Sequence, residues 1–183
     1  MKITELNKTR SDLAVMFKDL NFTIGAEIGT DKGLYADEIC KANPGVKLFC
    51  IDPWKIYKEN TDYPHQSTLN INYNLTKKRL KPYNVEIIKR SSMGVINEFE
   101  DNSLDFVYID ANHNFKYALE DINGWSKKVR TGGIVSGHDY IWRPRGKRRY
   151  DVKEALEIHS KDNNIDELFL LTKAGGSSWY YIK

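Results

Sequence analysis

The run Phe106-Val107-Tyr108-Ile109 places four large apolar side chains in succession. A strand with one wet face alternates apolar and polar residues, whereas a strand covered on both faces does not. The run therefore calls for helices above and below it, the arrangement of a parallel sheet in an α/β domain. The rest of the chain repeats this pattern. Short β-rich runs at 22–28, 46–51, 85–88, 104–109 and 133 to about 138 alternate with longer stretches of helical character. Phe115, Leu119, Ile122, Trp125 and Val129 recur at intervals of three and four, as do Val152, Ala155, Leu156 and His159. Leu69, Ile71, Tyr73 and Leu75 also fit a period of two, but a parallel sheet needs a crossover there, so the segment is read as a helix. Residues 1–20, with Leu13, Met16, Phe17 and Leu20 at helical spacing, are read as an N-terminal helix. Residues 168–171 and 179–182, joined by Ala174-Gly175-Gly176-Ser177, read as a β-hairpin. The expected architecture is one doubly wound, mostly parallel sheet with helices on both faces and an antiparallel C-terminal hairpin strand at or near an edge.

With 183 residues, the chain suits a single domain over 1–183 with a full core. No apolar run approaches the ~20 residues of a membrane span, and residues 1–20 lack the features of a signal peptide. A soluble, cytoplasmic protein is the expectation. Cys40 and Cys50 form no Cys-x-x-Cys pair and suggest buried thiols, not a zinc site. A net charge of +3 does not by itself imply nucleic acid. The charge is uneven, however, with Arg143, Arg145, Lys147, Arg148 and Arg149 crowded into one segment.

In doubly wound sheets ligands bind beyond the carboxyl ends of the strands, so the residues following each run carry the functional information. Gly25-Ala26-Glu27-Ile28-Gly29-Thr30-Asp31-Lys32-Gly33 follows the first. Its glycines allow a tight turn and close approach to a ligand, but it is not the Gly-x-Gly-x-x-Gly of a dinucleotide site. Glu27 would suit a cationic amino group and repel pyrophosphate. Asp52, about twenty positions on, is placed to accept both hydroxyls of a ribose, or to cap the turn at Pro53. Trp54 can pack on an adenine face. Ser91 and Ser92, after the third run, can meet an adenine edge or cap a helix. After the fourth and fifth runs come Asp110-Ala111-Asn112-His113 and Gly137-His138-Asp139-Tyr140. Two carboxylates with open positions suit Mg²⁺, and a neighbouring histidine can act as a general base. An Asp–His hydrogen-bond pair closing the sheet end is the plainer reading.

These segments resemble the class I S-adenosylmethionine-dependent methyltransferases, most closely the branch that includes macrolide-sugar O-methyltransferases and cephalosporin-hydroxylase-like proteins. The carrying stretches are residues 26–33, 49–54, 105–113 and 130–140. The resemblance implies a Rossmann-like, seven-stranded sheet. It implies that Glu27, Gly29, Thr30 and Gly33 shape the methionine side of the cofactor site. Asp52 would bind ribose, with Trp54 and Ser92 near the adenine and Asp110 also touching the cofactor. Asp110 and Asp139 would hold Mg²⁺ or another divalent cation, with His138 as a further ligand. His113 would be the catalytic base beside Asp110. His138 departs from metal-dependent relatives, which often carry a carboxylate there. The Asn/Asp-Pro-Pro-Tyr/Phe segment of enzymes that methylate base amino groups is absent, which favours a hydroxyl acceptor.

The expected function is therefore O-methylation of a small molecule, a sugar or an anionic metabolite, with divalent-metal assistance compatible. The basic segment Arg143–Arg149 would border the site and suit an anionic substrate, or equally be a solvated loop. No membrane partner is expected and nucleic acid is disfavoured. A homo-oligomer is compatible. The alternatives are a nucleic-acid methyltransferase and a cofactor-binding member without transfer activity.

Overall fold

The computed structural model describes residues 1–57, 65–140, 151–173 and 177–183. Strands β1 (Lys2–Leu6), β2 (Ile24–Ile28), β3 (Lys47–Ile51), β4 (Val85–Ile88), β5 (Leu104–Ile109), β6 (Val129–Gly137), β7 (Glu167–Leu171) and β8 (Ser178–Ile182) form a single sheet in the order β1-β7-β8-β6-β5-β2-β3-β4. β8 alone runs antiparallel, to both β6 and β7. Helices α1 (Arg10–Asp19) and α2 (Leu34–Ala42) pack on one face and α5 (Phe115–Lys128) and α6 (Val152–Asp162) on the other. α3 (Gln66–Leu80) crosses from β3 to β4, and the short α4 (Ser92–Val95) follows β4.

Every residue of β5 is buried, as its apolar run demands. Its alternate side chains feed two separate cores. Phe106 and Tyr108 meet Leu13, Phe17 and Tyr35 from α1 and α2. Val107 and Ile109 meet Ile122, Trp125 and Leu156 from α5 and α6. The doubly wound reading is thus met in its essentials, with three differences. The sheet has eight strands, because residues 2–6 form an edge strand paired in parallel with β7 and only residues 10–19 form the N-terminal helix. The helical spacing cited for that helix starts only at Leu13, and Thr9 closes a capping box with Asp12 that sets its beginning. The antiparallel strand is interior, between β6 and β7, and β1 holds the edge. α3 is a helix, but its buried stripe is Leu69, Asn72, Thr76 and Leu80, while Ile71 and Leu75 face outward. Polar residues on the inner face explain why its periodicity was ambiguous.

Among the described residues, no helix is long and apolar enough to cross a membrane. Cys40 and Cys50 are both buried and unpaired.

A buried imidazole joins α6 to the rest of the sheet. His159 Nδ1 lies 2.6 Å from Asn123 Oδ1 of α5, and Nε2 lies 2.7 Å from the Tyr181 hydroxyl of β8. A neutral ring serves both, with one N–H and one lone pair. Burial pushes its pKa down to about 4, with Asp162 only weakly opposing. The unfolded chain therefore binds a proton that the folded chain refuses between pH 6.5 and about 4. Stability from this group is present above the unfolded value and is lost as pH falls through that window. Urea denaturation across the window is expected to show a slope that shrinks by up to one proton in His159→Gln.

Candidate active site

The carboxyl ends of β2, β3, β4 and β5 open on a cavity of about 840 Å³. Its wall includes Gly29, Asp31, Asp52, Ser92, Asp110 and His113. The shape of this end depends on close backbone approach. Gly29 has a φ of 90°, and a side chain there would bring its Cβ to 2.1 Å from the Asp110 carbonyl oxygen. Its N–H donates to the Ile51 carbonyl at 2.8 Å, and the Asp110 N–H donates to Ile28 at 2.8 Å. Gly33, also left-handed, is the N-cap of α2.

Asp52 ends β3 with both oxygens engaged. Oδ1 accepts from the Trp54 N–H at 2.7 Å and Oδ2 from the Asp31 N–H at 3.0 Å. It thus caps its turn and also lines the cavity. Each oxygen retains a lone-pair direction for a further donor. Burial raises its pKa to about 6, partly offset by those two backbone bonds.

At the neighbouring strand ends, His113 Nε2 lies 2.8 Å from Asp139 Oδ2 and 3.4 Å from Asp110 Oδ1. The three groups offer ligand atoms all within 4.8 Å of one another. The two carboxylates fit a divalent cation, and the imidazole beside them can handle a proton. Burial pushes the His113 imidazole down, but hydrogen bonds and charge from Asp110 and Asp139 outweigh it and raise its pKa to about 10. Burial raises Asp139, but hydrogen bonds and charge from His113 and His138 outweigh it and hold the carboxyl well below the usual range.

With this geometry in view, comparisons with known proteins give three findings. A family model described as a methyltransferase domain matches residues 26–140, more than half of the chain. The chain belongs to the methyltransferase-domain family. No curated protein matches by sequence. Among solved structures, it is similar to the O-methyltransferase TomG from Streptomyces achromogenes in complex with SAM, at 15% identity and a TM-score of 0.63, covering 95% of this chain and 79% of that one. It is similar to an O-methyltransferase from Bacillus cereus in complex with SAH, at 13% identity and a TM-score of 0.63, covering 94% and 80%. It is also similar to spermidine synthase from Thermotoga maritima, at 16% identity and a TM-score of 0.60, covering 95% and 59%. Such identities establish a shared fold, and that fold serves more than one transfer chemistry.

Within this methyltransferase domain the sequence-derived residues are not all where the sequence placed them. Gly29, Asp52, Ser92, Asp110 and His113 share the cavity wall. Thr30 is buried under the turn, and Glu27 is 3% exposed. Burial raises the Glu27 pKa to about 8, which favours the neutral acid at pH 7 while the site is empty. Trp54 is corrected: its indole is 1% exposed, packs against Tyr73 and donates to the Asp31 carbonyl. It braces the site from beneath and presents no face to an adenine. His138 is also corrected: its Nδ1 lies 3.1 Å from Asp139 Oδ1, outside the cluster of ligand atoms, and it is His113 that sits between the two carboxylates. The basic segment Arg143–Arg149 lies outside the described residues. Sequence reasoning missed Asp31 and Asp121, which also line the cavity. Asp31 sits in the glycine turn and was open to notice, whereas nothing in the sequence marks Asp121 on its helix.

In the metal-free protein His113 is expected to stay protonated through neutral pH. Asp139→Asn removes one of the two charges that hold the proton, so its titration should move down toward the ordinary histidine range. Imidazole NMR titration of the two proteins checks this. Gly29→Ala forces a strained φ and a backbone clash, and is expected to cost more than about 2 kcal/mol in a chemical denaturation experiment.

Proposed function

We propose that this methyltransferase domain binds S-adenosylmethionine in the described cavity and transfers its methyl group to a hydroxyl oxygen of a small molecule. The observation that carries the reading is the single cavity joining the Gly29 turn and Asp52 to the Asp110–His113–Asp139 cluster. A turn that lets a ligand approach the backbone, a ribose acceptor and a proton-handling centre are the parts such a transfer needs. The similar TomG and Bacillus cereus structures, both O-methyltransferases with SAM or SAH, support the same reading.

In the transfer, the bond from sulfur to methyl breaks as the bond from oxygen to methyl forms. The acceptor's proton must leave, and S-adenosylhomocysteine is the second product. Asp52 orients the ribose, and the glycine turn lets the methionine portion lie against the backbone. Alignment of sulfur, methyl and oxygen is the main contribution of the fold. A divalent cation held by Asp110 and Asp139 would lower the pKa of the acceptor hydroxyl. Once those carboxylate charges are compensated, burial favours the neutral form of His113. Nε2 then has a lone pair with which to take the acceptor's proton. Glu27, uncharged when the site is empty, would ionise beside the ammonium group of the methionine portion.

Calorimetric titration with S-adenosylhomocysteine, with and without Mg²⁺, tests the cofactor assignment. Saturable binding that weakens at least about tenfold in Asp52→Ala is expected, since one charged hydrogen-bonding partner is lost. No binding by a folded sample under either condition would sink it. With an accepted hydroxyl substrate, His113→Ala should slow transfer about 10²- to 10⁴-fold while leaving cofactor affinity nearly unchanged. Full activity in that variant removes His113 from the mechanism.

A further inference from the structure

The side of the cavity near β4 holds a carboxylate that the mechanism above leaves unused. Asp121, on the second turn of α5, is 3% exposed yet lines the cavity. One oxygen accepts a hydrogen bond from the Ser92 hydroxyl at the start of α4. Among the described residues no cation pairs with it, and the charged neighbour that acts on it is another acid, Glu120. A buried carboxylate with one donor is poorly compensated. Burial raises its pKa to about 7, with the Ser92 hydrogen bond opposing. Met93, Tyr117 and Ile51 line the same cavity and supply flat or apolar surface for a ring. The site is therefore built for a planar ligand whose rim carries a hydrogen-bond donor.

We propose that Asp121, positioned by Ser92, accepts a hydrogen bond from the exocyclic 6-amino group of the purine and makes the site selective for 6-amino over 6-oxo purine nucleosides. This rests on the cofactor reading above. With the ribose at Asp52, the base extends toward β4. The ring nitrogens on the outer edges of adenine are acceptors, so the 6-amino group is the donor that a carboxylate can use. A 6-oxo group would instead face the carboxylate with a lone pair, leaving two acceptors in contact and desolvated.

The test compares S-adenosylhomocysteine with S-inosylhomocysteine by titration calorimetry on the full chain, about one pH unit above the Asp121 value of about 7. Wild type is expected to bind the 6-amino compound roughly ten- to a hundredfold more tightly. Asp121→Asn preserves shape and can turn either an oxygen or an N–H₂ toward the base, so the two affinities should come within about threefold. Ser92→Ala keeps the carboxylate and should retain the direction of the preference at reduced size. Equal affinities in wild type, or an undiminished ratio in Asp121→Asn, overturn the assignment while the cofactor reading stands. Binding of neither compound by the folded protein overturns both. Should Asp121→Asn not fold, Ser92→Ala carries the test: a reduced ratio supports the assignment and an undiminished one overturns it.

Discussion

The glycine turn after β2 is held by one residue, Asp31, which ties it to two other parts of the chain. Its N–H donates to Asp52, and its carbonyl accepts from the Trp54 indole at 2.7 Å and the Thr76 hydroxyl at 2.7 Å. Its carboxylate accepts from the Asn72 amide at 2.6 Å. The left-handed φ of 47° at Asp31 is what points these groups in different directions. In a poorly solvated setting, each of these bonds depends on the others, because losing one leaves a buried polar atom unpaired. The turn, the end of β3 and the inner face of α3 therefore hold one geometry together. That explains why α3 carries Asn72 and Thr76 where an ordinary amphipathic helix would carry apolar residues.

The charged groups of the cavity wall are mostly acidic, although Lys55 also lines it. Asp31, Asp52, Asp110 and Asp121 all line it, and Asp139 stands behind His113. Burial raises Asp52 and Asp121 above the usual carboxylate range. An excess of acids favours a ligand rich in positive charge and hydrogen-bond donors. A sulfonium nucleoside with its ammonium group and ribose hydroxyls has that composition, and a pyrophosphate has the reverse. The same crowding explains why the His113 pKa is raised to about 10, since a protonated ring compensates two of the acids.

Much of the fold was legible because burial on both faces of a parallel sheet leaves continuous apolar runs, and β5 is the clearest of these. Strand β1 was not legible. Residues 2–6 are half exposed at an edge, carry Lys2 and Glu5, and become a strand only through pairing with β7. For the site, spacing was informative about position: Gly29, Asp52, Asp110 and His113 follow strand ends and do share one cavity wall. It failed where side-chain direction decides. Trp54 and His138 are at the expected positions, but the indole turns inward and the imidazole turns to one side of Asp139. Asp121 was invisible because a carboxylate on a helix ordinarily faces water, and only the three-dimensional position of Ser92 gives it another use.

The antiparallel insertion of β8 has a consequence for assembly. Strands β2 to β6 are contiguous in the sheet and in sequence, so the part that carries the candidate site can pair without help from the remaining strands. β7 and β1 have no such independence. They reach the sheet only through β8, and the β1–β7 pair joins positions up to 165 residues apart. Closing so long a loop is entropically costly, which delays such contacts in folding. β8 therefore acts as a keystone. Without it, the sheet would be a five-stranded body with an open edge at β6. If it withdraws, β7 and β1 lose their place in the sheet together.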